Sequence, residues 1–315
     1  MNHESTTHSV AAPRYIPERP TVFAYSRPLP VMSPHHHLAH PVRPRLLAQA
    51  ALVVTVLLTA LSPAPVSGQR PLAPTPTVSA AHAPLRILWI GNSYTYVNDL
   101  PRTLTMLALA AGEPRVPAIT AVLKGGQFLR GHTARKELAS VIAEGWDYVV
   151  LQDQSLAPIE QPDTVLTYGL RLGTLAKQSG AKVLLYVTWP RRDTPQTMGA
   201  ITATYTTLAD SLGATLVPVG PAWMVMRQEA PKAELYLDDG SHPSPIGTYI
   251  AASVFYGVLY GKSAGGLPPQ AFSVRGNRYL PDTLPMAVAP LTLPADLVAA
   301  AQRAADRVLQ STSRR

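Results

Sequence analysis

The sequence predicts an α/β domain: a three-layer sandwich around a largely parallel five-stranded sheet. Three observations carry that expectation. Five short runs rich in Val, Ile and Leu show no alternation of apolar and polar residues, the pattern of strands covered on both faces. Their starts fall about 30–35 residues apart, the length of one strand–helix–strand unit. Four helix-like segments between them each run to a glycine, where a helix C-cap is expected, just ahead of the next strand.

The first run, LRILWI (85–90), is followed by a helix over 101–111, opened by Pro101 and closed at Gly112. VPAITAVL (116–123) precedes a helix over 132–144 that ends at Gly145. DYVVLQ (147–152) precedes a helix over 164–179 and Gly180, and KVLLYVT (182–188) a helix over 197–212 and Gly213. ATLVPV (214–219) is the fifth run, and a short helical stretch follows it. Ser244 caps and Pro245 starts a helix over 244–260. Residues 262–293 are rich in Gly and Pro and receive no assignment; an Ala-rich amphipathic helix is expected over 294–310. Parallel connections are expected to be right-handed.

The N-terminal third has a different character. LLAQAALVVTVLLTAL (46–61) follows Arg43 and Arg45 and precedes SPAPVSG, the order of a secretory signal, with cleavage after Gly68. The alternative is an uncleaved membrane anchor, for which the run is shorter than the usual ~20 residues and is interrupted by Gln49. In either case the remainder is expected to be exported, periplasmic, secreted or anchored facing outward, since the arginines stay on the cytoplasmic side. Met32 offers a second start, and His35, His36, His37 and His40 precede the apolar run and are read as a leader of no chemical consequence. Residues 1–68 are therefore leader and signal or anchor, 69–84 a disordered Pro/Ala/Thr linker, and 85–315 the domain.

Composition removes several classes of function. With no cysteine there is no disulfide scaffold, cysteine nucleophile or zinc ribbon. Hydrophobic residues at 46% against 15% charged argue for a folded core rather than wholesale disorder. The formal net charge of +8 is spread along the chain without a dense basic stretch, so no nucleic-acid partner is expected.

In an open parallel sheet, ligands bind outside the carboxyl ends of the strands, so the residues just after each strand matter most. Gly91-Asn92-Ser93-Tyr94-Thr95 follows the first, Lys124-Gly125-Gly126 the second and Gln152-Asp153-Gln154-Ser155 the third. Asp238-Asp239-Gly240-Ser241-His242-Pro243 comes after the fifth. A serine nucleophile needs a hydroxyl exposed on a turn, a base within reach, a carboxylate to orient that base, and donors for the oxyanion. Ser93 comes directly off a buried strand, and Asp239 and His242 stand three residues apart on one loop.

These blocks and their order resemble the SGNH/GDSL hydrolase superfamily over about residues 85–260. The strand and G-D-S block appears as Gly91-Asn92-Ser93, and D-x-x-H-P as Asp239-Gly240-Ser241-His242-Pro243. The resemblance implies a flavodoxin-like sheet, a Ser93–His242–Asp239 triad, and an oxyanion hole from the Ser93 N–H, Gly126 (or Gly125) and Gln154. It also implies an esterase or deacetylase working through an acyl-enzyme, without metal or cofactor, on a small-molecule or glycan ester such as an O-acetylated carbohydrate. Two positions depart from the pattern. Asn92 stands where the family has Asp, and Gln152-Asp153-Gln154-Ser155 stands where it has G-x-N-D, putting a longer amide in the donor's place. The altered block motivates a second reading, a non-catalytic domain that binds a glycan or partner; an acyltransferase is a third.

Other residues receive plainer readings. Gly261-Lys262-Ser263-Ala264-Gly265 matches a nucleophile-elbow pattern but leaves a helix, where that motif needs a preceding strand, and Tyr256 breaks the phosphate-loop pattern. Asp238 is the alternative orienter of His242. His132 is read as a helix-start residue, with a substrate-facing role as the alternative; Trp189 as packing, or as lining the pocket; Asp153 as bonded to local backbone.

Overall fold

A computed structural model describes the backbone of Arg14–Tyr15 and residues 83–274 and 288–312. The rest of the expected leader, the apolar run and all but the end of the linker lie outside the described residues. No helix among the described residues is long and apolar enough to cross a membrane.

Six parallel strands form the central sheet: β1 (Arg14–Tyr15), β2 (Leu85–Gly91), β3 (Pro117–Leu123), β4 (Tyr148–Leu151), β5 (Lys182–Tyr186) and β6 (Thr215–Val217), in the order β1-β3-β2-β4-β5-β6. The last five are the expected ones. The sixth is an addition at the edge of β3, where Arg14 pairs with Thr120 and Tyr15 with Ala121. In the centre, Trp89 of β2 faces Ala121 on one side and Val150 on the other. The sheet order reverses at β2, whose neighbours are the next strand on one side and the one after it on the other, and such a switch point opens a crevice at the carboxyl ends.

Alternate residues of each strand enter two separate cores. Ile87, Trp89, Val150, Leu184 and Tyr186 pack on one face; Leu88, Ile90, Val149, Leu151, Val183 and Leu185 pack on the other. Both sets are apolar, which is why the sequence runs do not alternate. The first face is covered by α2 (Leu100–Ala110), α8 (Val219–Glu229), α9 (Pro245–Tyr260) and α10 (Ala295–Thr312). The second is covered by α3 (Leu129–Thr133), α4 (Leu138–Ile142), α5 (Ala157–Glu160), α6 (Pro162–Gln178) and α7 (Met198–Leu212). A single turn of helix, α1 (Ser93–Tyr96), leaves β2.

Gly112, Gly145, Gly180 and Gly213 all take positive φ, as the cap reading requires. The helix expected over 132–144 is two short helices instead. The first, Leu129–Thr133, starts ahead of the expected position and draws His132 inward to the Gly91 carbonyl, its Nε2 2.8 Å from that oxygen; a turn over 134–137 separates it from the second, Leu138–Ile142. The stretch after β6 is a full helix, α8. Within the unassigned 262–293 lies an antiparallel pair, β7 (Gln270–Val274) and β8 (Val288–Thr292).

Glycines set two close approaches. On α6, a Cβ at Gly169 or Gly173 would come within 2.5 Å of Leu208 or Leu212, so the α6–α7 contact depends on their absence. At Gly220 a Cβ would lie 2.0 Å from the backbone oxygen of Thr188, which cannot swing away. Gly220→Ala is therefore expected to destabilise the domain by about 2–4 kcal/mol. Gly199→Ala, at the open start of α7 where a Cβ meets nothing, is expected to be neutral or to stabilise by up to about 1 kcal/mol. Denaturant unfolding of the two variants checks the contrast.

Candidate active site

The site forms where the chain leaves β2. Gly91 ends the strand, and Asn92 caps α1 by accepting the Tyr94 N–H at 3.1 Å. Ser93 occupies the first position of that helix, where a backbone N–H has no partner within the helix. The Asn92 side-chain amide also donates to the carbonyls of Gln127 and Asp153, fastening the turn to the ends of β3 and β4.

His242 and Asp239 come from the loop between α8 and α9. Gly240 turns this loop at φ 64, a region that favours glycine. The Asp239 Oδ1 accepts the N–H groups of Ser241 and His242, each at 2.9 Å, and its Oδ2 meets His242 Nδ1. The other imidazole nitrogen, Nε2, lies 2.9 Å from Ser93 Oγ. Three residues separated by up to 149 positions in sequence thus form one hydrogen-bonded line. Asp239, rather than Asp238, is the orienting carboxylate. Burial pushes the Asp239 carboxyl up, but the bonds from His242 and the two N–H groups outweigh it and hold the group below its ordinary value. Burial also lowers the His242 pKa; Asp239 offsets part of that, and the Arg191 charge adds to the lowering. The imidazole is therefore kept neutral and able to accept a proton.

The cleft over Ser93 measures about 170 Å³ and is lined by Asn92, Ser93, Tyr94, Gly126, Gln154, Ser155, Arg191, Ser241 and His242. Of the two glycines after β3, Gly126 is the one on the cleft, in a turn closed by the Gln127 N–H on the Lys124 carbonyl. The Gln154 side chain is anchored at one end. Its Oε1 accepts from Leu156 N at 2.7 Å and Ala157 N at 3.2 Å, which assigns the amide orientation and leaves Nε2 as a donor beside the cleft.

A stack of rings supports the floor. Tyr94 lies on Trp189 with centroids 4.5 Å apart and Trp189 on Trp223 at 4.0 Å, all nearly parallel, while Tyr94 meets the edge of His242. Trp189 is 1% exposed and donates to the Ser241 carbonyl, so it packs beneath the site rather than lining it. His132 is fully buried against Gly91, away from the cleft. Asp153 accepts from Leu129 N and Gln154 N; burial pushes its carboxyl up to about 6 against the pull of those bonds and of Arg130. Gly261 caps α9 in the left-handed region and Ser263 bonds Asp306, away from Ser93, as expected of a helix exit. No group of His, Asp and Glu side chains among the described residues is arranged to hold a metal ion.

Sequence reasoning missed Gln152 and Arg191. Gln152 is wholly buried; its Oε1 accepts from Asn92 N and Thr95 Oγ1, while its Nε2 donates to Asn92 Oδ1 and the Asp153 carbonyl. Gly91 makes room for it, since a Cβ there would sit 2.6 Å from Gln152 Oε1. The signal for Arg191 was available: it follows the fourth expected strand, at the same end of the sheet as Ser93 and Gln154.

No protein-family model and no curated protein matches the chain. Solved structures do. A DUF4886 family protein from Bacteroides uniformis ATCC 8492 is similar at a TM-score of 0.54 and 19% identity, over 72% of this chain and 95% of that one. An assigned SGNH hydrolase from Slackia heliotrinireducens is 28% identical over 56% of this chain and 99% of its own, with a TM-score of 0.48. The acetyl xylan esterase AlAXEase is 16% identical over 55% of this chain and 99% of its own, at 0.45. The chain shares the parallel α/β fold of the DUF4886 family protein, with the Gly-x-Ser block at the switch-point strand and the Asp-x-x-His block ahead of α9.

The neutral imidazole gives a prediction that needs no substrate. Covalent labelling of Ser93 by a fluorophosphonate should slow as pH falls, with a midpoint below the ordinary histidine value of 6.5. Mass spectrometry of the labelled peptide across pH checks it; a rate that is flat from pH 8 to 4 contradicts the assignment of His242 as base.

Proposed function

We propose that this protein is an exported serine esterase that removes a short acyl group, such as acetyl, from a carbohydrate or other small ester. The observation that carries the reading is the continuous line from Ser93 Oγ through both nitrogens of His242 to Asp239, at the mouth of a cleft of about 170 Å³, a size that suits a short acyl group. In this reading Ser93 Oγ attacks the ester carbonyl and gives its proton to His242 Nε2. The carbonyl oxygen becomes an oxyanion held by the Ser93 N–H, the Gly126 N–H and Gln154 Nε2. Collapse breaks the bond to the alcohol, which leaves with the proton from His242. Water then attacks the acyl-enzyme, with His242 taking its proton and returning it to Ser93. Asp239 holds the tautomer and stabilises the imidazolium. No metal or cofactor takes part in these steps. Export rests on the apolar run at 46–61 behind Arg43 and Arg45, and it puts the substrate outside the cytoplasm.

Hydrolysis of p-nitrophenyl acetate by the full chain tests the reading. Ser93→Ala and His242→Ala are each expected to lower kcat by roughly 10³-fold or more while the proteins stay folded. Gln154→Glu keeps the oxygen that caps the turn and removes the amide donor; its kcat is expected to fall by about 10²-fold or more. A parent protein no more active than Ser93→Ala on acetate esters, and unlabelled by fluorophosphonate, would favour the non-catalytic binding domain.

A further inference from the structure

One charged group in the cleft has no task in the steps above. Arg191 follows β5 and lines the cleft beside His242 and Ser155. None of the ion pairs among the described residues includes it. The one hydrogen bond of its side chain among the described residues is a long one, Nη2 to Ser155 Oγ at 3.4 Å, and its Nε is buried without a partner. A half-buried guanidinium held in this way is partly desolvated with little return, because burying charge without a counter-charge costs free energy. The other arginines near this loop are used differently: Arg192 pairs with Glu234, and Arg227 bonds the Tyr236 hydroxyl and the Arg192 carbonyl. No carboxylate lines the cleft among the described residues. The cleft wall therefore carries a positive charge next to Ser93 with no carboxylate on it, the Asp239 carboxylate being engaged with His242 behind the wall.

We infer that Arg191 is a specificity determinant that selects esters carrying a carboxylate on the alcohol side, such as an acetylated acidic sugar or hydroxy acid. The inference rests on the esterase reading and names the substrate class within it. The planar guanidinium matches a carboxylate, and the small cleft has room for an acetyl group with a carboxylate close by. The alcohol side is chosen because Arg191 and His242 line the same cleft, and in the steps above the leaving oxygen is protonated from His242 Nε2. A bound carboxylate also cancels the charge that depresses His242, and so makes the base stronger while the substrate is in place.

The test compares the 3- and 4-acetoxybenzoates with the matching acetoxybenzamides, which differ in charge and little in shape. The expected kcat/KM ratio, carboxylate over amide, is about ten or more for the full-length protein. It should fall to about one in Arg191→Gln and be partly kept in Arg191→Lys. The acid limb of kcat should lie at higher pH with the carboxylate substrate than with the amide. If Arg191→Gln does not fold, added salt serves on the unmodified protein and should reduce the ratio. A ratio near one, or a ratio that survives both Arg191→Gln and salt, overturns the inference and leaves the esterase reading intact. So does turnover of p-nitrophenyl acetate without turnover of the acetoxybenzoates. Failure of every acetate ester, with Ser93→Ala no different, overturns both.

Discussion

Two side-chain amides hold the site together. Asn92 and Gln152 bond reciprocally, the Gln152 oxygen taking the Asn92 backbone N–H at 3.0 Å and the Gln152 nitrogen giving to Asn92 Oδ1 at 2.8 Å. The remaining Asn92 donors reach the loops after β3 and β4. Every other feature of the cleft is placed from this knot: the exit angle of α1, the height of Ser93 and the spacing of Gly126 and Gln154 on either side. Both amides are buried, so a missing partner would leave a polar group dry at a cost of about 1–3 kcal/mol. The pair also accounts for Asn92 where the resemblance has Asp. A buried carboxylate could not donate to two carbonyls, and an amide can.

Charge is distributed with economy around that knot. Asp239, partly exposed, is kept ionised by three donors, and His242 is kept neutral by its partial burial. The ring stack of Tyr94, Trp189 and Trp223 supplies the dry flank that lowers the imidazole's basicity, and it fixes the ring edge-on to Tyr94. Tyr94 itself, pushed up to about 12 by burial, stays neutral and gives its hydroxyl to a bond with Ser241 on the His242 loop. Packing, hydrogen bonding and proton affinity are here the same set of atoms seen three ways.

The strand–helix rhythm was legible because it is local: apolar runs and cap glycines are written in short windows, and five of the sheet's strands follow them. Ser93, Asp239 and His242 were legible because each sits at a strand end or in a compact loop block. What escaped is what depends on distant partners. The bond from His132 to a carbonyl forty-one residues earlier leaves no local trace, and β7 and β8 pair across a Gly/Pro-rich region with little periodicity. Gln152 looks like any polar residue after a strand until the space beside Gly91 is seen. Arg191 gives no local sign that it lacks an ion pair, since that is a property of the loops around it.

Asn98 ties the loop of His242 to a part of the chain beyond the Gly-x-Ser and Asp-x-x-His blocks. It is buried at φ 57, donates to the Pro243 carbonyl next to His242 at 2.8 Å, and accepts the N–H of Val274 in β7 at 3.0 Å. Strand β7 is thus a brace for the loop that carries His242, joined to it through left-handed Asn98. A fragment ending at residue 261 would hold every residue of the proposed triad and oxyanion hole. It would still lack the strut that seats its histidine, so the smallest unit that holds the Ser93–His242–Asp239 line is set by mechanical support and extends past the last residue of that line.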